Sequence, residues 1–146
     1  MTAVVYTDAS YSNSKLIAAC GYCVLFDGVM VKHEVLLYEN ILTTLQAETI
    51  SIIQGLLHSF MLKGITQINV HTDCLIIVEA LNSEKRRKKV KKYSEYNELK
   101  EVILMCEENN ISVTIEHIKA HNGHKYNCLV DRSVRKNLRY FLKTNT

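Results

Sequence analysis

Two different spacings of apolar residues follow one another along the chain, and they predict its strands and helices. Short apolar runs with the character of strands come first, and the pair Asp27-Gly28 between two of them is typical of a tight β-hairpin. After Thr43 and Thr44, either of which suits a helix N-cap, apolar residues recur every three or four positions. The predicted strands are residues 3–9, 17–26, 29–38, 66–72 and 111–118. The predicted helices extend from Thr43 or Thr44 to a stop at Gly64, and over about 74–82, 94–109 and 126–141.

The order of these elements, β-β-β-α-β-α-α-β-α, predicts an α/β fold. The first three strands form an antiparallel meander, and the later strands are separated by helices, which favours parallel pairing. We therefore expect a mixed five-stranded sheet with helices on both faces. A chain of 146 residues with no proline and five glycines shows no linker, so residues 1–146 are expected to form a single domain.

Composition places the chain among ordinary globular proteins, with 47% hydrophobic and 23% charged residues. No apolar run is long enough to span a membrane, and the N-terminus lacks the features of a signal peptide. We therefore expect a cytoplasmic protein whose five cysteines are free thiols with no disulfide partner. Cys20 and Cys23 form a CxxC, but positions i and i+3 of a strand face opposite sides, which disfavours a redox or zinc pair.

The net charge of +3 is unevenly distributed. Residues 85–92, KRRKKVKK, hold seven of the 18 basic residues, and the remainder has 11 basic against 15 acidic residues, a net charge of −4. Such a basic run predicts contact with a polyanion. The alternatives are a solvated loop or a targeting signal.

Four carboxylates occupy positions that carboxylates usually avoid. Asp8 and Asp73 each follow a threonine at the end of an apolar strand. Glu48 and Asp131 fall on or beside the core-facing stripes of their helices, with no obvious basic partner nearby in the sequence. A buried ionised carboxylate costs several kcal/mol unless it is paired or bound to a metal. Taken singly, each acid could be a cap or a solvated helix edge, but four that converge would suit Mg²⁺ or Mn²⁺.

Three histidines surround the last predicted loop. The segment reads HIKAHNGHKYN, and His117, His121 and His124 could form a zinc set by spacing. This alternative is disfavoured because His117 falls in a strand and no thiolate is correctly placed. A loop histidine beside a carboxylate-bound metal could instead transfer protons or ease product release.

Four segments together resemble type I ribonuclease H. They are YTDAS at the first strand, QAE at the first helix, HTD at the fourth strand, and HNGHKYNCLVD near the end. The last is the most specific, since the His-x-Gly-His loop, the Asn and the final Asp are in matching register. The resemblance covers nearly the whole chain. It implies a ribonuclease H-like fold and an endonuclease that hydrolyses the RNA strand of RNA/DNA hybrids with two Mg²⁺ ions, for which Mn²⁺ could substitute.

The resemblance also implies a role for each matching residue. Asp8 would bridge the two ions, Glu48 and Asp73 would complete one site, and Asp131 would complete the other. His121 matches the family's mobile histidine, and Asn127 matches the residue that orients the final Asp and its helix. Contacts with the hybrid would come from Asn127, from Thr43, Thr44 and Gln46 in place of the usual asparagines, and from Lys88, Lys89, Lys91 and Lys92 of the basic run.

The chain departs from the family pattern near several of these positions. The segment after Asp8 lacks the usual glycine- and proline-rich turn, Cys74 and Cys128 replace a common Ser and Glu, and there is no tryptophan. Three alternatives stay open: another enzyme with the same carboxylate core, a hybrid-binding pseudoenzyme, and a domain related to a reverse transcriptase. We expect a monomer that binds hybrid and no membrane.

Overall fold

The computed structural model describes residues 1–91, 93–119 and 124–145. Its elements are β1 (Thr2–Ser12), β2 (Ile17–Phe26), β3 (Val29–Tyr38), α1 (Thr44–Phe60), β4 (Gln67–Thr72), α2 (Leu75–Asn82), α3 (Glu84–Val90), α4 (Ser94–Glu108), β5 (Ser112–His117) and α5 (Lys125–Thr144). The sheet has the order β3-β2-β1-β4-β5. β1, β2 and β3 pair antiparallel, whereas β4 is parallel to β1 and β5. The predicted mixed five-stranded sheet is confirmed.

The hairpin between β2 and β3 turns at the predicted dipeptide. Asp27 and Gly28 have φ angles of 53° and 77°, the positive values that a type I′ turn needs. Phe26 and Val29 pair directly on either side of it. The twist of this turn matches that of the strands, which is why two residues suffice to connect them.

The structure differs from the predicted helices at two places. The basic run forms the additional helix α3, because Lys and Arg are good helix formers and Val90, only 1% exposed, anchors the helix end in the core. Helix α1 ends at Phe60 with Met61 as its C-cap, earlier than the predicted stop. Gly64 adopts a φ of 83° in the turn that follows.

Helices cover both faces of the sheet, as predicted. On one face a large cluster of buried residues joins the sheet to α1, α2 and α4, and Val90 of α3 belongs to it. On the other face α5 packs on β1 and β2, where Val130, Val134 and Leu138 meet Tyr6 and Ala19 among others. Within the described residues, no helix is both long enough and apolar enough to cross a membrane.

Two glycines let a helix approach each face of the sheet closely. A Cβ on Gly55 of α1 would lie 2.6 Å from Val5 Cγ1 in β1. A Cβ on Gly21 of β2 would lie 2.5 Å from Val134 Cγ1 in α5. Neither distance is possible between carbon atoms in contact, so larger residues at these positions would force the helices outward.

The substitution Gly21→Ala is therefore expected to destabilise the fold. Overpacking of this kind costs about 1–3 kcal/mol, which urea unfolding followed by circular dichroism measures. Val134→Ala should relieve the clash, so the double variant should lose less stability than the two single losses added together. An unchanged free energy of unfolding in Gly21→Ala would contradict the close approach of α5.

Candidate active site

Asp8 and Asp73 lie where the parallel part of the sheet ends. The pairing of β1 with β4 stops at Tyr6 and His71, while β1 continues to pair with β2 as far as Ser12. The sequence had suggested that Asp8 closes its strand. It does not, because β1 continues beyond Asp8 in its pairing with β2. Asp73 directly follows β4. The two carboxylates flank the opening at the carboxyl ends of parallel strands, where α/β proteins commonly bind ligands.

Helix α1 brings the third acid to this opening. Thr43 caps the helix by accepting a hydrogen bond from Gln46 N at 3.0 Å. Glu48 follows in the second turn and is only 6% exposed, as its place beside the apolar stripe predicted. Ser51 Oγ donates a 2.8 Å hydrogen bond to the main-chain oxygen of Asp8, which ties α1 to β1 beside the site.

The three carboxylates form a tight cluster. One oxygen atom from each of Asp8, Glu48 and Asp73 lies within 4.8 Å of the others. Ala9 N donates a 2.8 Å hydrogen bond to Asp8 Oδ1. Glu48 Oε2 is buried and has no hydrogen-bond partner among the described residues. A buried acceptor without a donor is costly, so burial of Glu48 Oε2 is uncompensated within the described residues.

Burial and mutual repulsion hold protons on this cluster. Loss of hydration, followed by the charge of Asp73, raises the pKa of Asp8 to about 8, against the opposing hydrogen bond from Ala9. Loss of hydration and then the charges of Asp8 and Asp73 raise the pKa of Glu48 well above its ordinary value. Carboxylates whose pKa values are raised by burial and by one another are typical of functional sites.

The cluster fits a divalent cation. Its donors are all carboxylate oxygens, which Mg²⁺ and Mn²⁺ prefer over nitrogen or sulfur. A cation would supply the partner that Glu48 Oε2 lacks and would oppose the repulsion that raises the pKa values. Among the described residues, this is the group of acids, histidines or cysteines whose ligand atoms converge as a metal site requires.

Asp131 adjoins the cluster from α5, on the other side of the sheet. After the loss of hydration and the charge of Asp73, the nearness of Asp131 also raises the pKa of Asp8. The expectation that Asp131 has no basic partner is wrong, because Arg135 Nη2 donates to Asp131 Oδ2 at 2.6 Å one helical turn later. The Asp131 side chain remains 23% exposed, so it lies at the edge of the buried stripe.

Asn127 lies one helical turn before Asp131. It is 3% exposed, and its Oδ1 has no hydrogen-bond partner among the described residues. The structure thus places the amide inside the protein beneath the start of α5. Its proposed role in orienting this helix stays a prediction.

The predicted contact residues of α1 surround the helix start. Gln46 Oε1 accepts a 2.8 Å hydrogen bond from Leu42 N, and its Nε2 donates to Glu95 Oε1 of α4 at 2.7 Å. Thr43 is engaged as the N-cap, whereas Thr44 is exposed. Of these three, Thr44 is the residue whose side chain is most open to a ligand.

The remaining predicted residues divide between α3 and the last loop. Lys88 and Lys91 are exposed on α3 and at its C-cap. Lys92 and His121 lie outside the described residues, as does the side chain of Lys89. The zinc alternative involves the same loop: His117 ends β5, while His124 precedes α5 with its ring centroid 5.1 Å from that of Tyr6.

A second group of basic residues, on α5, was not predicted from the sequence. Helix α5 carries six of them, Lys125, Arg132, Arg135, Lys136, Arg139 and Lys143, and a single acid, Asp131. The positive charge was attributed to residues 85–92 because the basic residues there are consecutive. The signal in α5 was the spacing of its basic residues by three and four positions, which aligns them along one helix face.

Comparisons with a protein-family model and with solved structures agree with the fold and the acidic cluster described above. A family model for RNase H matches residues 1–139. The chain belongs to the RNase H family. The N-terminal RNase H domain of a Mycobacterium tuberculosis protein, solved as a fusion with maltose-binding protein, superimposes with a TM-score of 0.75 at 16% identity and covers 99% of both chains. RNase H1 from Halobacterium salinarum NRC-1 has a TM-score of 0.66 at 17% identity, covering 93% of this chain and 99% of its own.

These likenesses establish the RNase H fold. The family and the acidic cluster support nuclease activity on RNA/DNA hybrids with a divalent metal. No curated protein matches the sequence significantly.

The substitution Asp8→Asn is expected to stabilise the metal-free protein at high pH. A carboxyl whose pKa is raised on folding costs stability as the pH rises from near 4 through about 8, and an amide does not titrate. The gain should be about 1.4 kcal/mol for each unit of pKa shift that the substitution removes. Urea unfolding in EDTA at pH 5 and pH 8.5 measures it, with Asp27→Asn in the β2–β3 turn as the control. An equal effect of Asp8→Asn at both pH values would contradict the raised pKa.

Proposed function

We propose that this chain is an endonuclease that hydrolyses the RNA strand of RNA/DNA hybrids, with residues 1–146 acting as one catalytic domain. The observation that carries the proposal is the convergence of Asp8, Glu48 and Asp73, with raised pKa values for Asp8 and Glu48, in a chain of the RNase H family. Mg²⁺ is the proposed cofactor, in two sites, with Mn²⁺ as a substitute.

The carboxylates divide into two sides around Asp8. Glu48 and Asp73 cluster with it on one side, and Asp131 of α5 adjoins it from the other. We propose that Asp8 would contact both ions, that Glu48 and Asp73 would hold one, and that Asp131 would hold the second. When bound, two such ions supply activation of the attacking water and stabilisation of the leaving 3′-oxygen.

Other residues serve this site by position and charge. Arg135 pairs with Asp131, so it holds that carboxylate in place before a cation arrives. Exposed Lys88 and Lys91 attract phosphates, together with Lys89 and Lys92 of the same run. Thr44 offers a hydroxyl at the start of α1 for contact with an RNA 2′-hydroxyl. This group distinguishes a hybrid from a DNA duplex. His121 is proposed to assist proton transfer or product release.

Cleavage should depend on the substrate and on the metal. We expect cuts within the RNA of a hybrid in Mg²⁺ or Mn²⁺ and none in EDTA, with double-stranded RNA, double-stranded DNA and single-stranded RNA left intact. Gel analysis of end-labelled strands measures this. Cleavage of double-stranded DNA would favour another enzyme with the same carboxylate core, and binding of hybrid without cleavage would favour a pseudoenzyme.

The variant Asp8→Asn should lose hybrid cleavage by more than about 100-fold. Loss of a residue that only supports a metal ligand already costs about 10–100-fold, and Asp8 is proposed as a ligand itself. Initial rates in saturating Mg²⁺ measure the loss, and Asp27→Asn, which makes the same chemical change in a turn, should cleave like the unmodified protein. Substantial activity in Asp8→Asn would refute the metal assignment.

Replacing Lys88, Lys89, Lys91 and Lys92 with Gln should raise KM for hybrid and leave kcat nearly unchanged. Interactions made equally in the ground state and the transition state alter KM alone. The log–log dependence of binding on salt should flatten by about 0.9 for each phosphate that the variant can no longer neutralise. Equal slopes for the variant and the unmodified protein would identify α3 as a merely solvated helix.

A further inference from the structure

Helix α5 presents a row of positive charge on the side that faces away from the sheet. Residues four and three positions apart align on one helix face, so Arg132, Lys136 and Arg139 form a row that Lys143 extends. We call these four residues the α5 basic row. All four are exposed, whereas Val130, Val134 and Leu138 on the opposite side of the helix are buried. At 1.5 Å per residue the row is about 16 Å long.

Three residues of the row, Arg132, Lys136 and Arg139, are available for an anionic partner. Among the described residues, none of Arg132, Lys136 and Arg139 forms an ion pair with a carboxylate. Arg132 uses its Nε in a 3.4 Å hydrogen bond to Cys128 O, which leaves most of its donors for a ligand. The helix has a single acid, Asp131, which already forms an ion pair with Arg135. Three aligned cations therefore gain no compensation from the helix itself.

An exposed aromatic ring adjoins the row. Tyr140 follows Arg139 and comes one helical turn after Lys136, and it is 71% exposed. A large aromatic side chain in water gains nothing for the fold. Basic residues that alternate with an exposed aromatic ring are the combination by which proteins hold single-stranded nucleic acid, because phosphates contact the cations and a base stacks on the ring.

The row is separate from α3 and borders a pocket beside β1. Val90 anchors α3 on the face of the sheet covered by α1, α2 and α4, whereas α5 covers the other face. A pocket of about 280 Å³ lies between β1 and α5, and Ser10, Arg135 and Arg139 contribute to its lining. Ser10 is two residues beyond Asp8. A strand bound along α5 could thus lead towards the cluster without touching α3.

We propose that the outer face of α5 binds single-stranded nucleic acid. Arg132, Lys136 and Arg139 contact successive phosphates, and Tyr140 stacks on a base. Three cations spread over two to three helical turns suit a flexible strand, which adjusts its phosphate spacing to the row. The proposal concerns binding alone, so it does not depend on whether the carboxylates cleave RNA.

The test measures binding of a fluorescein-labelled 12-nucleotide oligothymidylate by anisotropy, in EDTA and without hybrid. In the row variant, Arg132, Lys136 and Arg139 are replaced with Gln. The control variant carries Lys15→Gln, Lys63→Gln and Lys100→Gln, three exposed lysines on other parts of the surface, and it loses the same net charge. The row variant should flatten the log–log salt dependence by about two units, at about 0.7 for each phosphate of a single strand, and the control should not. Equal weakening in both variants, or in neither, would overturn the proposal.

Tyr140 variants test the stacking interaction. Tyr140→Ala should weaken binding about 5- to 150-fold, the range for loss of one stacked base, and Tyr140→Phe should bind like the unmodified protein because it keeps the ring. Unchanged affinity in Tyr140→Ala would refute the assignment to single strands. So would tighter binding of a 12-base-pair DNA duplex than of the single strand, or selective loss of binding to vesicles of anionic lipid in the row variant. Circular dichroism of each variant confirms that it is folded.

Discussion

Repulsion among carboxylates held away from water is the constraint on which the rest of this structure depends. Asp8 and Glu48 are almost wholly buried, and Asp73 lies within 4.8 Å of both. Burial and mutual repulsion both oppose this arrangement, so its cost falls on the surrounding packing. Pairing of β1 with β2 holds Asp8, and the end of β4 positions Asp73, which directly follows it. Helix α1 holds Glu48 through a hydrophobic face packed against the sheet.

The fold was largely predictable because periodicity alone identifies half-buried strands and amphipathic helices. All five strands lie close to their predicted positions, and the acids were recognisable as carboxylates in apolar surroundings. The additional helix α3 was not predicted, since a run of lysines and arginines lacks an apolar period, and Val90 is the only buried one among its described side chains. The pairing of Asp131 with Arg135 was also not predicted. Asp131 was expected on the buried stripe, whereas its side chain is partly exposed and reaches Arg135 at the surface. Convergence of the acids depends on strand order, which no local pattern contains.

The two faces of the sheet differ in the helices that cover them and in the site residues that those helices contribute. The face covered by α1, α2 and α4 contains the larger hydrophobic cluster. On this face Glu48 is buried, and Ser51 donates a hydrogen bond to the main-chain oxygen of Asp8. The side of α5 depends on one helix alone, and this helix also carries Asp131 and the α5 basic row. The core packing of α5, its proposed metal ligand Asp131 and its surface charge therefore share one helix, on faces that its 3.6-residue period keeps apart.

Gly21 shows that a residue with no functional group can be as important to the geometry of the carboxylate site as an acid. It pairs with Asp8 across the sheet, and its missing side chain lets Val134 approach, which sets the depth at which α5 and Asp131 sit. A search that recognises such enzymes by their acids alone would accept sequences in which this position is filled. A redesign that moved the four carboxylates onto another sheet would likewise keep the acids but lose the spacing between them. Because Gly21 has no side chain, it sets the distance between α5 and the sheet. A list of functional groups omits this part of the site.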